Sequence, residues 1–243
     1  MNETTEDMLL DGRVRLRQPV RGFRAGLDAV LLAAFVPARA GQAVLEAGCG
    51  SGAAFLCLAA RVPGLRIAAV EREAAMAAMA RGNAGANGVD AVVTEGDVAD
   101  PALARRLGPC DHVLANPPYW PGGTPPPGAV RRAATHESGP GLAGWVGFLS
   151  AALRDRGTLN LVLPAARFDA GIAAMLGAGC GSVTLLPVAP RADQPAKRVL
   201  VRARKGGRAP ARLLPPFVLH EADGTFTMAA EDVLRRAAAL AAA

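Results

Sequence analysis

The sequence predicts an α/β fold, in which a mostly parallel sheet carries helices on both faces. From about residue 43, short apolar segments typical of strands alternate with Ala-rich segments typical of helices. Repeated strand–helix units favour parallel pairing, because each helix crosses over the sheet to the next strand. Only residues 189–197 separate the last two predicted strands. That connection is too short for a helical crossover, so these two strands are expected to pair antiparallel.

The predicted elements follow one another in the order that such a sheet requires. The strands are predicted at Ala43–Glu46, Arg66–Glu71, Ala91–Glu95, Asp111–Ala115, Leu159–Leu163, Val183–Val188 and Arg198–Arg204. Helices are predicted near 53–61, 73–86, 100–107, 142–154 and 167–177. Together they predict a seven-stranded, Rossmann-like sheet with five parallel strands and a C-terminal antiparallel hairpin.

Two segments flank this core. Arg13–Arg17 alternates apolar and polar residues like a short strand, and Leu27–Val36 has the pattern of a helix. After the last sheet strand, Asp223-Gly224 predicts a tight turn, and Glu231–Leu240 predicts a closing helix. We therefore expect residues 1–42 to form an N-terminal extension packed on the core, and residues 43–243 to form one domain.

Composition and charge favour some partners over others. The 243 residues carry a net charge of +6, and nearly all the basic residues are arginine. This favours a polyanionic partner such as RNA, although genomic base composition explains the preference for arginine equally well. No apolar run reaches the roughly 18 residues of a membrane helix, and the acidic start differs from a secretory signal. We expect a cytoplasmic protein without a membrane partner, and the scattered cysteines and histidines predict no metal site.

A glycine-rich turn follows the first predicted sheet strand. Gly48, Gly50 and Gly52 permit a tight turn that leads into a helix N-terminus. Such a turn alone could equally hold the pyrophosphate of a dinucleotide. However, Glu46 stands at the end of the strand, where a carboxylate would repel a phosphate and could hold an ammonium group. The turn and Glu46 together therefore favour a ligand with an amino-acid end.

Two more carboxylates end the next two predicted strands. Glu71 could accept hydrogen bonds from ribose hydroxyls, and Asp97 could accept one from the amino group of an adenine. Each acid taken singly is more simply a solvated strand end, but ligands bind at the carboxyl edge of such sheets. An amino-acid end, a ribose and an adenine without phosphate make up S-adenosylmethionine. These acids and the turn predict that cofactor.

The tetrapeptide Asn116-Pro117-Pro118-Tyr119 ends the fourth predicted strand. Its two prolines stop the strand, because proline cannot donate to a sheet ladder. The Asn116 side-chain oxygen and the Pro117 carbonyl could accept both hydrogens of an exocyclic amine. Tyr119 could stack on the ring that bears the amine. The motif predicts a planar amino-group acceptor, and the simpler alternative is an Asn-Pro turn that closes a strand.

With these motifs the chain resembles the class I S-adenosylmethionine-dependent methyltransferases. Within that superfamily, Gly22–Leu32, Arg132–Glu137 and Pro187–Lys205 are similar to the bacterial tRNA(Val) adenine-37 N6-methyltransferase family. The resemblance covers most of the chain. It implies methyl transfer to N6 of adenine in tRNA, or in another structured RNA. It also implies that Asp28 lies on the cofactor side, although an acid there could equally complement a helix dipole.

Several assignments stay open at this point. Arg131, Arg132 and the basic residues within 198–208 could bind RNA phosphates, although a solvated face is the simpler account. The alternative functions are guanine-N2 methylation of rRNA, N5 methylation of a protein glutamine, and a non-catalytic RNA-binding module. The short segment before the first sheet strand argues against the protein methyltransferase. The intact glycine-rich turn and Asn-Pro-Pro-Tyr motif argue against the non-catalytic module.

Overall fold

The computed structural model describes residues 3–22, 24–118 and 140–240. The strands are β1 (Thr4–Leu9), β2 (Val14–Pro19), β3 (Ala43–Ala47), β4 (Arg66–Glu71), β5 (Ala91–Glu95), β6 (Cys110–Ala115), β7 (Leu153–Pro164), β8 (Cys180–Ala189), β9 (Arg198–Lys205), β10 (Arg212–Leu213) and β11 (Phe217–Val218). The helices are α1 (Leu27–Phe35), α2 (Ala53–Arg61), α3 (Ala74–Ala86), α4 (Pro101–Leu107), α5 (Gly141–Ala152), α6 (Phe168–Gly177) and α7 (Met228–Leu234).

The central sheet has the strand order β10-β8-β9-β7-β6-β3-β4-β5, and β11 also pairs with β8. Strands β3 to β7 are parallel, whereas β9 lies antiparallel between β7 and β8. The predicted mostly parallel sheet with its C-terminal hairpin is confirmed. The seven-strand prediction omitted β10 and β11, which make this a nine-stranded sheet. Both are two residues long and lie in a Pro-rich segment, so neither has a strand-length pattern.

Helices cover both faces of the sheet, as predicted. Helices α1, α2, α3 and α7 pack on one face, and α4, α5 and α6 pack on the other. Adjacent strand residues point into opposite cores: Val44 joins the first cluster and Leu45 the second. Strands buried on both sides explain the continuous apolar runs in the sequence. No helix within the described ranges combines the length and the apolar character needed to cross a membrane.

The N-terminal residues form a separate hairpin, in which β1 and β2 pair antiparallel. Its turn holds Leu10, Asp11 and Gly12 at positive φ. The predicted strand Arg13–Arg17 corresponds to β2 within two residues, whereas β1 was not predicted because it contains few apolar residues. The Asp-Gly pair between the strands is the signal that could have revealed the hairpin.

The closing helix lies earlier than predicted. It spans Met228–Leu234, and its N-terminus is capped by the Thr227 hydroxyl, which accepts a hydrogen bond from the Ala230 N–H at 3.1 Å. After the helix ends at Leu234, Ala237 has a φ of 59°, and the N–H of Leu240 donates to a carbonyl of α1. Residues 235–240 therefore pack on α1 instead of continuing the helix.

Candidate functional site

The predicted residues Asn116, Glu46, Glu71 and Asp97 lie at the carboxyl ends of four neighbouring strands. Asn116 follows β6, Glu46 lies in β3, Glu71 ends β4 and Asp97 follows β5, and the sheet order is β6-β3-β4-β5. From β3 the chain winds outward to β5 and returns to β6 on the other side. This reversal creates a crevice between β3 and β6, where ligands of open α/β sheets bind.

A cavity of about 460 Å³ opens at this edge. Four predicted residues line it: Asp28, Glu46, Gly48 and Asn116. The wall also contains residues that sequence reasoning missed, including Arg24–Gly26, Pro190 and Lys197. The β8–β9 connection supplies Pro190 and Lys197. Because β8 runs parallel to β7, the connection that follows β8 must lie at the carboxyl edge. The short segment between the last two predicted strands was the sequence signal that could have placed these residues at the site.

The Glu46 carboxyl group is buried at the base of the crevice. Glu46 is only 4% exposed, and its Oε2 atom accepts a hydrogen bond from the Phe55 N–H at 2.8 Å. Burial raises the pKa of Glu46 to about 8; the Phe55 hydrogen bond opposes this rise and the negative charge of Glu71 adds to it. The carboxyl group is therefore largely protonated near pH 7, and a cation in the cavity would favour its ionised form.

The glycine-rich turn has a backbone that other residues rarely adopt. Gly48, Gly50 and Gly52 have φ values of +64°, +54° and +92°. A Cβ atom on Gly48 would overlap the indole of Trp145, and one on Gly52 would lie 2.6 Å from the Phe55 ring. The turn thus leaves no room for side chains at these two positions. The contact between Trp145 and Gly48 was not predicted from the sequence.

The other two predicted acids are held by backbone N–H groups. Glu71 accepts from the Gly50 N–H at 2.9 Å, and its other oxygen accepts from the N–H two residues further on. Asp97 accepts from the Ala99 N–H at 2.9 Å and lies 3.8 Å from Arg72. Each carboxylate oxygen has a second lone pair, so both side chains can still accept hydrogen bonds from a ligand.

The basic residues of β9 are largely engaged inside the protein. Arg198 forms an ion pair with Asp28 at 2.9 Å, so Asp28 both lines the cavity and holds β9. The Arg202 guanidinium lies 4.3 Å from the centroid of the Phe35 ring, and the Lys205 ammonium donates to two backbone carbonyls. All three side chains thus have partners within the protein, and the expectation that this run binds RNA phosphates stays a prediction.

The Asn-Pro-Pro-Tyr motif is described only in part. Asn116 is half-buried in the cavity wall, Pro117 is buried and Pro118 is exposed. The predicted residues Tyr119, Arg131 and Arg132 lie outside the described residues.

The cavity wall also contains a cysteine. Burial raises the pKa of the Cys49 thiol, which disfavours a thiolate nucleophile there. Among the residues that the structure describes, no three His, Cys, Asp or Glu side chains form a group that could hold a metal ion.

Comparison with known proteins identifies the family. The sequence-family model described as the methyltransferase small domain matches residues 25–133. A tRNA1(Val) (adenine(37)-N6)-methyltransferase of Aeromonas hydrophila is 32% identical over 206 residues, which cover 84% of this chain and 85% of the relative. The chain belongs to the tRNA1(Val) (adenine(37)-N6)-methyltransferase family. A relative of the same name from Actinobacillus succinogenes is 34% identical over 146 residues, covering 58% of this chain and 61% of its own. The resemblance found in the sequence is confirmed.

Solved structures agree with this family assignment. A crystal structure from Agrobacterium tumefaciens, described as a predicted O-methyltransferase, is 30% identical with a TM-score of 0.73, and the match covers 88% of this chain and 98% of that one. The T. thermophilus 16S rRNA N2 G1207 methyltransferase, in complex with AdoMet and guanosine, has a TM-score of 0.59 and 20% identity, covering 84% of this chain and 50% of that one. At that identity the second likeness is one of fold alone. Both confirm the predicted fold class.

Proposed function

We propose that this member of the family transfers a methyl group from S-adenosylmethionine to N6 of an adenine in tRNA. The observation that carries the proposal is that Glu46 and Asn116 line one cavity, from adjacent strand ends. The first is suited to the amino-acid end of the cofactor and the second to an exocyclic amine. We further propose that the protein acts in the cytoplasm, with residues 1–42 as an extension of a methyltransferase domain formed by residues 43–243.

The residues at the site fit this cofactor. A cavity of about 460 Å³ falls within the usual size of a small-molecule site, roughly 300–1,000 Å³. Glu46 can hold the ammonium group, and Gly48 presents its backbone to the cavity. Glu71 and Asp97 lie outside the cavity lining, at the next two strand ends, and are proposed to hold the ribose hydroxyls and the adenine amino group. When bound, S-adenosylmethionine supplies an electrophilic methyl group on a positively charged sulfur. The buried carboxyl group of Glu46 favours such a cationic ligand over a pyrophosphate.

The acceptor side of the site acts on the amine. The exocyclic nitrogen of adenine is a poor nucleophile, because its lone pair is delocalised into the ring. When the Asn116 side-chain oxygen and the Pro117 carbonyl accept its two hydrogens, the nitrogen becomes more tetrahedral and its lone pair becomes available. Alignment with the methyl group can supply about 7–11 kcal/mol of the barrier. The product proton then leaves to solvent without a general base.

The base must leave its stack to enter this pocket, which costs least in a single-stranded loop. Tyr119 is proposed to stack on the base, a contact typically worth about 1–3 kcal/mol. Arg131 and Arg132 are proposed to contact phosphates. All three residues follow the Asn116-Pro117-Pro118 segment in the sequence.

A direct assay tests this function. The protein is incubated with isotope-labelled S-adenosylmethionine and unmodified tRNA, and the nucleosides are identified by mass spectrometry after digestion. Labelled N6-methyladenosine is expected. Methylguanosine, or label only in protein, would refute the proposal and favour the guanine or glutamine alternative.

A variant separates the two halves of the site. Asn116→Ala should retain cofactor binding, measured by calorimetry, while methyl transfer falls by about 100-fold or more, as when a preorganised polar group is removed from an active site. Loss of both together would assign Asn116 a structural role instead.

A further inference from the structure

The N-terminal hairpin determines where one wall of the cavity lies. Arg24, Ala25 and Gly26 line the cavity, in the segment between β2 of the hairpin and α1. The Ala25 N–H donates to the side-chain oxygen of buried Gln18 in β2 at 2.8 Å, and the Arg24 guanidinium pairs with Asp7 of β1 at 2.6 Å. A movement of the hairpin would therefore move this wall.

The hairpin in turn is docked on α3 by two asparagines. The Asn83 side chain accepts from the Arg17 N–H at 3.0 Å and donates to the Arg17 carbonyl at 2.9 Å. The side chain of Asn87, one residue beyond α3, makes the same pair of bonds with Arg15, at 2.9 and 2.7 Å. Each amide takes the place of a peptide group in a neighbouring strand. The two asparagines are four residues apart and therefore share one face of the helix.

The second amide hydrogen distinguishes the two asparagines. In Asn83 the Nδ2 atom also donates to the carbonyl of Ser51, inside the glycine-rich turn, at 2.9 Å. In Asn87 it donates to the backbone carbonyl of Asn83, within its own helical segment, at 2.8 Å. Asn83 is 3% exposed, and Ser51 is also buried. One buried amide thus joins the hairpin to the glycine-rich turn.

We propose that Asn83 is a positioning residue for cofactor binding, which holds the hairpin wall and the glycine-rich turn in a fixed relation across the cavity. The proposal rests on the proposed function. Without the amide, the Ser51 carbonyl and both backbone groups of Arg17 would lose their partner, and a buried polar group left unpaired is unfavourable. The turn and the hairpin would then relax independently, and the cofactor would have to order both when it binds.

The matched variants Asn83→Ala and Asn87→Ala test this role. Calorimetry with S-adenosylmethionine should show the Kd rising about tenfold for Asn83→Ala and by less than about twofold for Asn87→Ala, since only the first loses the bond to Ser51. As the cofactor concentration is raised to saturation, the methyl-transfer rate of Asn83→Ala should approach that of the wild type. Equal effects of the two variants, or no effect of Asn83→Ala, would overturn the proposal. A wild-type protein that binds no cofactor would instead refute the proposed function.

A measurement on the wild-type protein covers the case in which Asn83→Ala does not fold. Coupling between two sites is reciprocal, so cofactor binding should also stabilise the docked hairpin. Hydrogen exchange of the Arg17 amide, which is bonded to Asn83, should slow when S-adenosylmethionine is added, and more than exchange of the Arg15 amide. Equal slowing of both amides, or no change in either, would overturn the proposal.

Discussion

The Glu46 carboxylate accepts a hydrogen bond from the backbone N–H of Phe55, in the first turn of α2, at 2.8 Å. One N–H does not offset the burial of a charge, and the pKa of Glu46 is accordingly raised to about 8. The carboxyl group is therefore mostly protonated at neutral pH, and a positive group that approaches it from the cavity would favour the ionised form. If Glu46 holds the cofactor ammonium group as proposed, cofactor binding is expected to release a proton from this carboxyl group.

We expect cofactor affinity to rise with pH between about pH 6 and about pH 8. Below its pKa the Glu46 carboxyl is protonated, and an ammonium ligand favours the ionised form, so binding releases a proton. Calorimetry in buffers with different ionisation enthalpies measures that proton. Glu46→Gln should bind more weakly and should release no proton at this site. A wild-type affinity that is flat across this range would contradict the prediction.

The contact between Gly48 and Trp145 predicts an unusually costly alanine substitution. Gly48→Ala places a methyl group against the indole in a backbone at a φ of +64°, and overpacking of this kind should lower the free energy of unfolding by about 1–3 kcal/mol. Gly50→Ala is the matched control. Its φ of +54° imposes similar backbone strain, but the nearest side-chain atom, in Met76, is 3.8 Å away.

Urea unfolding measures both variants. If Gly50→Ala destabilises the protein as much as Gly48→Ala, backbone strain alone accounts for the loss and the indole contact does not limit the turn. If the contact is responsible, Trp145→Leu should recover part of the stability of Gly48→Ala.

The carboxyl-edge residues could be predicted because parallel strands bring their ends to one edge, whatever the loops between them do. The parallel pairing alone therefore predicted the position at this edge of Glu46, Glu71, Asp97 and Asn116. Trp145 could not be found this way, because its contact with Gly48 joins segments that are distant in sequence.

The internal partners of the β9 arginines could not be predicted from the sequence either. A strand with several charges indicates an exposed face, but the Arg202 guanidinium lies over the Phe35 ring of α1. This guanidinium donates to the Phe35 carbonyl at the end of that helix, a favourable place for a cation. Such compensation depends on tertiary packing and leaves no pattern in the sequence.

Lys197 is expected to contribute to tRNA binding. Its side chain is exposed at the cavity wall, whereas the neighbouring Arg198 is paired with Asp28. Because one phosphate contact would be lost, Lys197→Ala should raise the KM for tRNA several-fold. It should also reduce the salt dependence of binding by about one unit of slope. Cofactor affinity should change little. Arg66→Ala, an exposed charge at the amino edge of the sheet, is the control, and an equal effect there would indicate a non-specific loss of charge.

The final prediction concerns a buried histidine on the amino side of the same sheet. His112 is buried, with Nδ1 2.7 Å from the Thr158 hydroxyl and Nε2 2.9 Å from the Gln42 side-chain oxygen. That oxygen also accepts from the Arg39 N–H, so it acts as an acceptor and Nε2 is the protonated ring nitrogen. Nδ1 is then an acceptor for the Thr158 hydroxyl. The network accommodates the neutral ring.

Burial lowers the pKa of His112 from 6.5 to about 4; the negative charge of Asp111 opposes this shift, and nearby arginines add to it. Because the pKa is lower in the folded state, the unfolded chain takes up the proton first as the pH falls. The contribution of His112 to the free energy of unfolding is therefore complete above about pH 6.5 and is lost as the pH falls towards 4. At about 1.36 kcal/mol per unit of pKa, the loss approaches about 3 kcal/mol. Urea unfolding at pH 7 and at about pH 4.5 should show His112→Gln losing clearly less stability than the wild type over this interval. The same loss in both proteins would mean that other groups cause the acid sensitivity.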